Sequence, residues 1–113
     1  MEECIFCKIA NKEIPSKIVL ENENIIAFED LNPIAPVHIL VIPKKHIASV
    51  MELKDEDGEY LKAIYEAIQE IAKQKGIDKS GFRVLTNIGE NAGQTIKHLH
   101  FHVIGGRKLE MGC

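Results

Sequence analysis

The hydrophobic and polar positions of this chain change their period along the sequence. Most of it consists of short β-branched and apolar runs separated by Gly, Pro and Asn, a pattern that is typical of strands and turns. Asn22 and Glu23 predict a tight hairpin between the first two runs. The predicted strands cover residues 17–21, 24–30, 37–43 and 81–88, with a loop over 30–36 and a turn over 89–95.

One long segment has the helical period instead. Between about residues 55 and 75 the apolar and aromatic positions recur at helical spacing, namely Tyr60, Leu61, Ile64, Tyr65, Ile68, Ile71 and Ala72. Acidic residues crowd the front of this segment, where the helix dipole favours anions, and Gly76 follows it as a C-cap. The pattern predicts one main helix whose apolar stripe packs on the core.

The last apolar segment, "HLHFHVI", places His98, His100 and His102 at alternate positions. A strand over residues 98–104 directs the three imidazoles to one face and the apolar residues mainly to the other, whereas a helix scatters them around its axis. A single histidine in a strand is ordinarily a solvated or hydrogen-bonded side chain. Three on one face indicate a site, because packing gains nothing from repeating a residue that titrates near neutral pH.

Together these elements predict an α+β fold, a five-stranded antiparallel sheet with the main helix on one face. The 113 residues and the 45% hydrophobic composition fit a single domain over residues 1–113. The sequence contains no internal repeat and no low-complexity tract.

The charge distribution narrows the possible partners. The formal net charge is −3, and Lys and Arg are spread along the chain, so there is no basic block for binding a nucleic-acid polymer. A bound nucleotide is therefore expected to be a small molecule. The N-terminus lacks the apolar run of a signal peptide, and the run at residues 39–42 is far short of a membrane span. We expect a cytoplasmic protein without membrane contact.

The cysteines allow more than one interpretation. Cys4 and Cys7 form a CxxC motif, which occurs in redox pairs and as half of a zinc site. His46 and His98 supply two further imidazoles, so a tetrahedral Cys₂His₂ zinc site is possible, but spacing alone leaves two unrelated thiols as an equal alternative. His38, inside an apolar strand, is interpreted as a core or supporting histidine.

Three stretches of the sequence, the last of which contains the triple-histidine motif, resemble one known family. The motif "HLHFHVI" is similar to the signature of the histidine triad (HIT) superfamily. The stretches "CIFCKIANKEIPSKIVLEN", "AFEDLNPIAPVHILVIPKKHI" and "FRVLTNIGENAGQTIKHLHFHVIGGR" resemble its HINT branch of nucleotide-binding, phosphoramidase-like proteins over nearly the whole chain. The resemblance implies an antiparallel sheet with a main helix, paired in a homodimer with a continuous ten-stranded sheet.

The resemblance also implies catalytic roles. His100 is expected to be the nucleophile that attacks the α-phosphorus of a nucleoside phosphoramidate or phosphoanhydride. An imidazole with a pKa near 6.5 is largely neutral at pH 7 and can form a nucleotidyl intermediate. His102 would contact the phosphate oxygens or the leaving group, and His38 would orient the nucleophile. The implied activity is hydrolysis of purine nucleoside 5′-phosphoramidates, with two alternatives: a dinucleoside polyphosphate hydrolase and a non-catalytic nucleotide-binding module.

The remaining implied roles concern binding. Substrate-binding positions of the family correspond to Asp30 and Leu31 for ribose and base, Asn87 for the nucleotide, and the backbone of Gly93 and Gln94 with the Thr95 hydroxyl for the phosphate. In zinc-containing members the metal is held at the positions of Cys4, Cys7, His46 and His98, so structural zinc is expected here and no catalytic metal.

The C-terminal segment departs from the family pattern. After "GGR" many members of the branch continue into a Trp-Pro-Pro tail, whereas this chain reads "KLEMGC" and contains no Trp. Leaving-group preference is therefore open, and we expect that Met111 or nothing takes the place of the Trp.

Overall fold

The computed structural model describes residues 4–111, which form two α-helices and five strands. In chain order these elements are α1 (Ile5–Ala10), β1 (Ile18–Glu21), β2 (Ile25–Glu29), β3 (Val37–Pro43), α2 (Gly58–Gln74), β4 (Phe82–Leu85) and β5 (Phe101–Gly105). Short 3₁₀ turns lie at Val50–Glu52, Asp55–Asp57 and Glu90–Ala92. No helix within residues 4–111 is long and apolar enough to cross a membrane.

The five strands form one sheet in the order β1-β2-β3-β5-β4, and every neighbouring pair is antiparallel. The predicted α+β sheet with one main helix is confirmed. β3 lies in the centre of the sheet. It is the most continuously buried strand, because both faces of the sheet are covered there. The predicted pairing of two such sheets in a homodimer stays a prediction.

Each face of the sheet carries its own apolar cluster. On one face α2 buries Ala63, Ile64, Ala67, Ile68 and Ile71 against alternate residues of β2, β3 and β5. On the other face Phe6 and Ile9 of α1 pack on the intervening residues of β2 and β3, namely Ile26, Phe28, Leu40 and Ile42. Because side chains alternate along a strand, the even-numbered histidines of β5 and β3 fall on the α1 face.

Helix α1 was not predicted from the sequence. Its six residues are too few for a visible helical period, and Cys4 acts as its N-cap, with the Cys7 amide donating to Cys4 Sγ at 3.3 Å. The only local signal is the spacing of two buried residues, Phe6 and Ile9.

Several predicted boundaries differ from the structure. The predicted strand 98–104 is wrong at its beginning, because the β3–β5 ladder covers only Phe101–Gly105. Before this point the Leu99 amide donates to the Ile47 carbonyl, beyond the end of β3. The main helix begins at Gly58 rather than near 55, because the acidic residues at its front form a separate 3₁₀ turn. The strand predicted at 81–88 is shorter and covers Phe82–Leu85.

Gly106, the residue directly after β5, provides a test of this packing. Gly106 has φ +92°, and a Cβ built on it would lie 2.9 Å from Pro36 Cβ. Gly106→Ala should therefore lower the free energy of unfolding by about 1–3 kcal/mol, measured by urea denaturation. Gly58→Ala is the matched control, since Gly58 has φ −58° and no heavy atom within 4 Å of its ideal Cβ. The control should be neutral or stabilising by up to about 1 kcal/mol. Equal effects in the two variants would contradict the packing described for Gly106.

Candidate functional site

The sheet register brings four histidines to the α1 face. His102 pairs with Leu40 and Ile104 pairs with His38, so His38 and His102 stand side by side on neighbouring strands. His98 and His100 precede β5 on the same side, and both are buried. The His100 and His102 ring centroids are 5.3 Å apart, and those of His38 and His102 are 5.2 Å apart.

His100 is held in one orientation by backbone and aromatic contacts. Its Nδ1–H donates to the His98 carbonyl at 2.7 Å, and the Thr86 hydroxyl donates to the His100 carbonyl at 2.7 Å. The edge of the Phe6 ring lies against the imidazole, with centroids 5.0 Å apart. Because Nδ1 carries the proton in this arrangement, the lone pair of neutral His100 is on Nε2.

A second hydrogen-bond chain determines the tautomer of His102. The Ile34 amide donates to His38 Nδ1 at 3.2 Å, so neutral His38 carries its proton on Nε2. This Nε2–H donates to His102 Nδ1 at 2.9 Å, and an Asp30 carboxylate oxygen lies 3.3 Å from His38 Nε2. His102 Nδ1 is then an acceptor, and its proton is on Nε2. The predicted support from His38 therefore goes to His102 directly, and to His100 only through it.

Burial keeps His102 neutral at physiological pH. Desolvation lowers the pKa of His102 to about 4, with the neighbouring His100 and His38 as smaller causes. A neutral imidazole with its proton on Nε2 is a hydrogen-bond donor and carries no charge. His102 is thus suited to hold an oxygen or a leaving group by hydrogen bonding.

A largely apolar cavity of about 410 Å³ borders the two central histidines. Its walls come from α1, from the segment at Ile14–Ser16, from β2 and from the Thr95–Ile96 segment. Asp30 and Leu31 lie at its rim beside His100 and His102, and Leu31 is 91% exposed. The structure thus brings Asp30, Leu31, Thr95, His100 and His102 to one cavity, which is large enough for part of a small organic ligand.

A second cavity, of about 900 Å³, lies on the other side of His102. His38, Asn87 and His102 line it, together with the side chains of Arg83 and Arg107. Asn87 thus lines this cavity, whereas Asp30 and Leu31 border the 410 Å³ cavity, and His102 lines both. Gly93 and Gln94 line neither of these two cavities, and Gly93 is exposed at the loop tip with φ +83°.

Cys4, Cys7, His46 and His98 come together beside this site. Their ligand atoms all lie within 4.8 Å of one another, and the cluster could hold a metal ion. Cys4 Sγ is 3.3 Å from His98 Nδ1, and Cys7 Sγ is 3.2 Å from His46 Nδ1 and 3.5 Å from His98 Nδ1. A tetrahedral ion with bonds of about 2.3 Å to sulfur and about 2.0 Å to nitrogen gives sulfur–nitrogen separations of about 3.5 Å. The four residues therefore fit such an ion.

His98 has the tautomer that this cluster needs. Its ring is fully buried, and its Nε2–H donates to the Pro43 carbonyl at 2.9 Å, which leaves the Nδ1 lone pair directed at the two thiols. Burial lowers the pKa of His98 to about 4, whereas burial and the neighbouring Cys4 raise the pKa of Cys7 to about 11. Binding of a metal would release the Cys7 proton.

Comparison with known proteins places the chain in a family. The family model described as "Scavenger mRNA decapping enzyme C-term binding" matches residues 3–113. The solved structure of a histidine triad protein from Clostridium difficile is 51% identical, covers 99% of both chains and superposes with a TM-score of 0.93. The chain belongs to the histidine triad (HIT) family.

Other solved HIT proteins are described by activity or ligand. A HIT family hydrolase from Legionella pneumophila Philadelphia 1 is 42% identical, covers 96% of both chains and has a TM-score of 0.93. A histidine triad nucleotide-binding protein from Candida albicans is 32% identical over 98% of this chain and 86% of its own, with a TM-score of 0.82. The HIT membership predicted from the sequence is confirmed.

Sequence reasoning missed several residues of this HIT site. Phe6 packs on the imidazoles of both His98 and His100, and Thr86 anchors the His100 backbone. Both belong to elements whose proximity to the histidines depends on long-range pairing. Arg83 was also missed. It lies two residues from Leu85 in the predicted strand 81–88, so the two side chains share a face, and Leu85 pairs with His102.

The side chain of Gln94 ties the loop after β4 to the segment after β3. Its amide Nε2 donates to the carbonyls of Ala48 and Ile96 at 2.9 and 3.1 Å, and its Oε1 accepts from the Gly89 amide at 2.9 Å. In this HIT protein the side chain of Gln94 is therefore occupied by the fold, and its backbone amide also donates to the Gly89 carbonyl at 3.0 Å.

Replacing this amide by a carboxylate tests the connection. Gln94→Glu keeps the size of the side chain but removes both donors and turns a charge towards two carbonyl oxygens. We expect the free energy of unfolding to fall by about 1–3 kcal/mol in urea denaturation. Gln69→Glu, the same change at an exposed position of α2, should have little effect. Similar values for the two variants would show that the Gln94 hydrogen bonds contribute nothing to stability.

Proposed function

We propose that this HIT protein is a nucleotidyl hydrolase of the HINT branch that acts on purine nucleoside 5′-phosphoramidates. The observation that carries the proposal is the orientation of His100. Its Nδ1–H is bound to the His98 carbonyl, so Nε2 is left as a free nucleophile at the edge of the 410 Å³ cavity. Two solved relatives, one a HIT family hydrolase and one a histidine triad nucleotide-binding protein, support the same reaction class.

The proposed reaction has two displacements at phosphorus. In the first, His100 Nε2 bonds to the α-phosphorus and the bond from phosphorus to the amine nitrogen breaks, with the amine taking up a proton. In the second, water displaces the histidine and releases a nucleoside monophosphate. Nucleophilic catalysis of this kind divides one difficult step into two easier ones.

His102 and His38 act as donor and positioning residue in this proposal. His102 Nε2–H donates to a non-bridging phosphate oxygen or to the leaving group, where charge develops in the transition state. His38 holds His102 in the required tautomer through the 2.9 Å hydrogen bond to Nδ1. Because the pKa of His102 is about 4, the donor remains neutral throughout the physiological range.

Substrate binding uses the cavity beside α1. The apolar walls, including Phe6 and Ile9, suit the face of a purine base, and Leu31 covers its outer side. Asp30, at the rim of the cavity, accepts hydrogen bonds from the ribose hydroxyls, and its other carboxylate oxygen is held by the Asn32 amide at 2.8 Å. The backbone of Gly93 and Gln94 and the hydroxyl of Thr95 bind the phosphate. The two amides donate to the Glu90 and Gly89 carbonyls at 3.0 Å in the structure, so the exposed loop has to rearrange and close over the phosphate.

The Cys₂His₂ cluster is proposed to hold structural zinc. Cys4 and Cys7 of α1 and His46 after β3 would be joined to His98, the residue whose carbonyl orients His100. With four protein ligands the ion has no open position, so it would supply cross-linking and no Lewis-acid chemistry.

A dinucleoside polyphosphate hydrolase is the second candidate function. The 900 Å³ cavity on the far side of His102 favours it, because a second nucleotide needs that volume. Comparing turnover of the two substrate types separates the candidates.

Mass spectrometry of a trapped intermediate tests the leading proposal. Wild-type protein mixed with an adenosine 5′-phosphoramidate and quenched without acid should carry a nucleotidyl adduct on His100 and release the amine. His100→Ala should form no adduct and lose at least about 10³-fold in kcat. Calorimetric binding of AMP by His100→Ala is the control for folding. An active His100→Ala, or an adduct on another residue, would contradict the assignment; binding without turnover in the wild type would establish a non-catalytic nucleotide-binding module.

Metal analysis of cysteine variants tests the zinc proposal. In Cys4→Ser and Cys7→Ser we expect loss of zinc, measured by plasma mass spectrometry, and unfolding at a lower urea concentration than in the wild type. The loss of stability should be larger than the loss of turnover. Cys113→Ser, outside the CxxC motif, is the matched control and should keep its zinc. An unchanged metal content in Cys4→Ser or Cys7→Ser would rule out these ligands.

A further inference from the structure

The proposed function places the nucleoside monophosphate part of the substrate in the 410 Å³ cavity. It assigns no ligand to the 900 Å³ cavity. His102 lines both this cavity and the 410 Å³ cavity that the nucleoside would occupy. A phosphorus atom bound beside His100 and His102 therefore lies between the two cavities. Because a displacement at phosphorus places nucleophile and leaving group roughly in line, the leaving group extends away from His100 into the larger cavity.

Two guanidinium groups line that cavity. Arg83 Nη2 donates to the Glu110 carbonyl at 2.9 Å, and Arg107 Nη2 donates to the Ile34 carbonyl at 2.8 Å. Arg107 Nη1 also donates to the Lys108 carbonyl at 3.0 Å. All three acceptors are uncharged, and within residues 4–111 neither arginine forms an ion pair with a carboxylate. A guanidinium has five N–H donors, so each retains donors for a ligand.

The remaining walls set the character of the ligand. Glu110 is the one acidic side chain among the described lining residues, so two positive charges face one negative charge while His102 is neutral. Ile34, Leu85, Ile104 and Leu109 supply apolar surface between the charged groups. A group with a short apolar stem and an anionic end matches these walls.

We propose that this cavity is a leaving-group subsite that selects amines carrying an anionic group, a carboxylate or a phosphonate. The proposal rests on the proposed function. In the reaction the phosphorus–nitrogen bond to such an amine breaks, the bond from phosphorus to His100 Nε2 forms, and the amine nitrogen takes its proton from water. Arg83 and Arg107 bind the anionic end, and Glu110 opposes it.

Kinetics with matched leaving groups test the proposal. Three adenosine 5′-phosphoramidates are compared, made from β-alanine, from the uncharged β-alaninamide and from 2-aminoethylphosphonate. We expect kcat/KM to be about tenfold higher for the carboxylate than for the carboxamide, a ratio that falls with ionic strength. The phosphonate arm shows which anion is preferred. A carboxylate-to-carboxamide ratio near one would overturn the proposal.

Variants assign the selectivity to the charges. Arg83→Gln and Arg107→Gln should reduce the ratio several-fold, Arg83→Lys should retain most of it, and Glu110→Gln, which leaves the backbone carbonyl in place, should raise it. Equal loss for charged and uncharged substrates in both Gln variants would mean that the arginines only hold the C-terminal segment, and would overturn the proposal.

Direct binding separates this proposal from the proposed function. His100→Ala should bind the β-alanine compound about tenfold more tightly than the β-alaninamide compound in calorimetry. This preference without any turnover by the wild type would support the subsite and refute the hydrolase. Equal dissociation constants together with normal turnover would refute the subsite and leave the hydrolase in place.

Discussion

The site depends on one buried side chain, His98. Its ring donates from Nε2 to the Pro43 carbonyl at the end of β3, and its Nδ1 faces Cys4 and Cys7 beside α1. Its own carbonyl accepts the proton of His100 Nδ1 at 2.7 Å. One residue therefore joins the central strand to the N-terminal helix and determines which nitrogen of His100 is free. A full burial that lowers its pKa to about 4 keeps His98 neutral, as each of these contacts requires.

The two faces of the sheet differ in composition: one carries the main apolar core, and the other carries the histidines. α2 covers one face with small and branched apolar side chains. On the other face the six-residue α1 covers only part of the sheet, so the histidines of β3 and β5 border open cavities on both sides of His102. The short helix is thus the reason that polar side chains can reach a ligand on this face.

The sequence predicted most of the sheet, because alternation and turn residues are local signals. β3 was predicted at its observed boundaries, and the hairpin after β1 forms as expected, with Asn22 Oδ1 accepting from the Asn24 and Ile25 amides. The beginning of β5 was not predictable, because residues 98–100 have strand-like periodicity but no partner strand. There the Leu99 amide donates to the Ile47 carbonyl, and the His100 ring donates to the His98 carbonyl. The packing of α1, the pairing of His38 with His102 and the placement of Arg107 all depend on partners distant in sequence, which no local pattern contains.

The loop that is proposed to bind phosphate and the cluster that is proposed to bind zinc meet at the same segment. Gln94 donates to Ala48, two residues after the cluster member His46, and the Leu99 amide donates to Ile47 between them. The segment 46–48 thus contacts the loop through Gln94 and the strand entry through Leu99. Because packed and hydrogen-bonded neighbours do not contribute independently, changes at the cluster and at the loop should couple rather than add. The Cys₂His₂ cluster is therefore part of the framework that positions both the loop proposed to bind phosphate and the His100 imidazole.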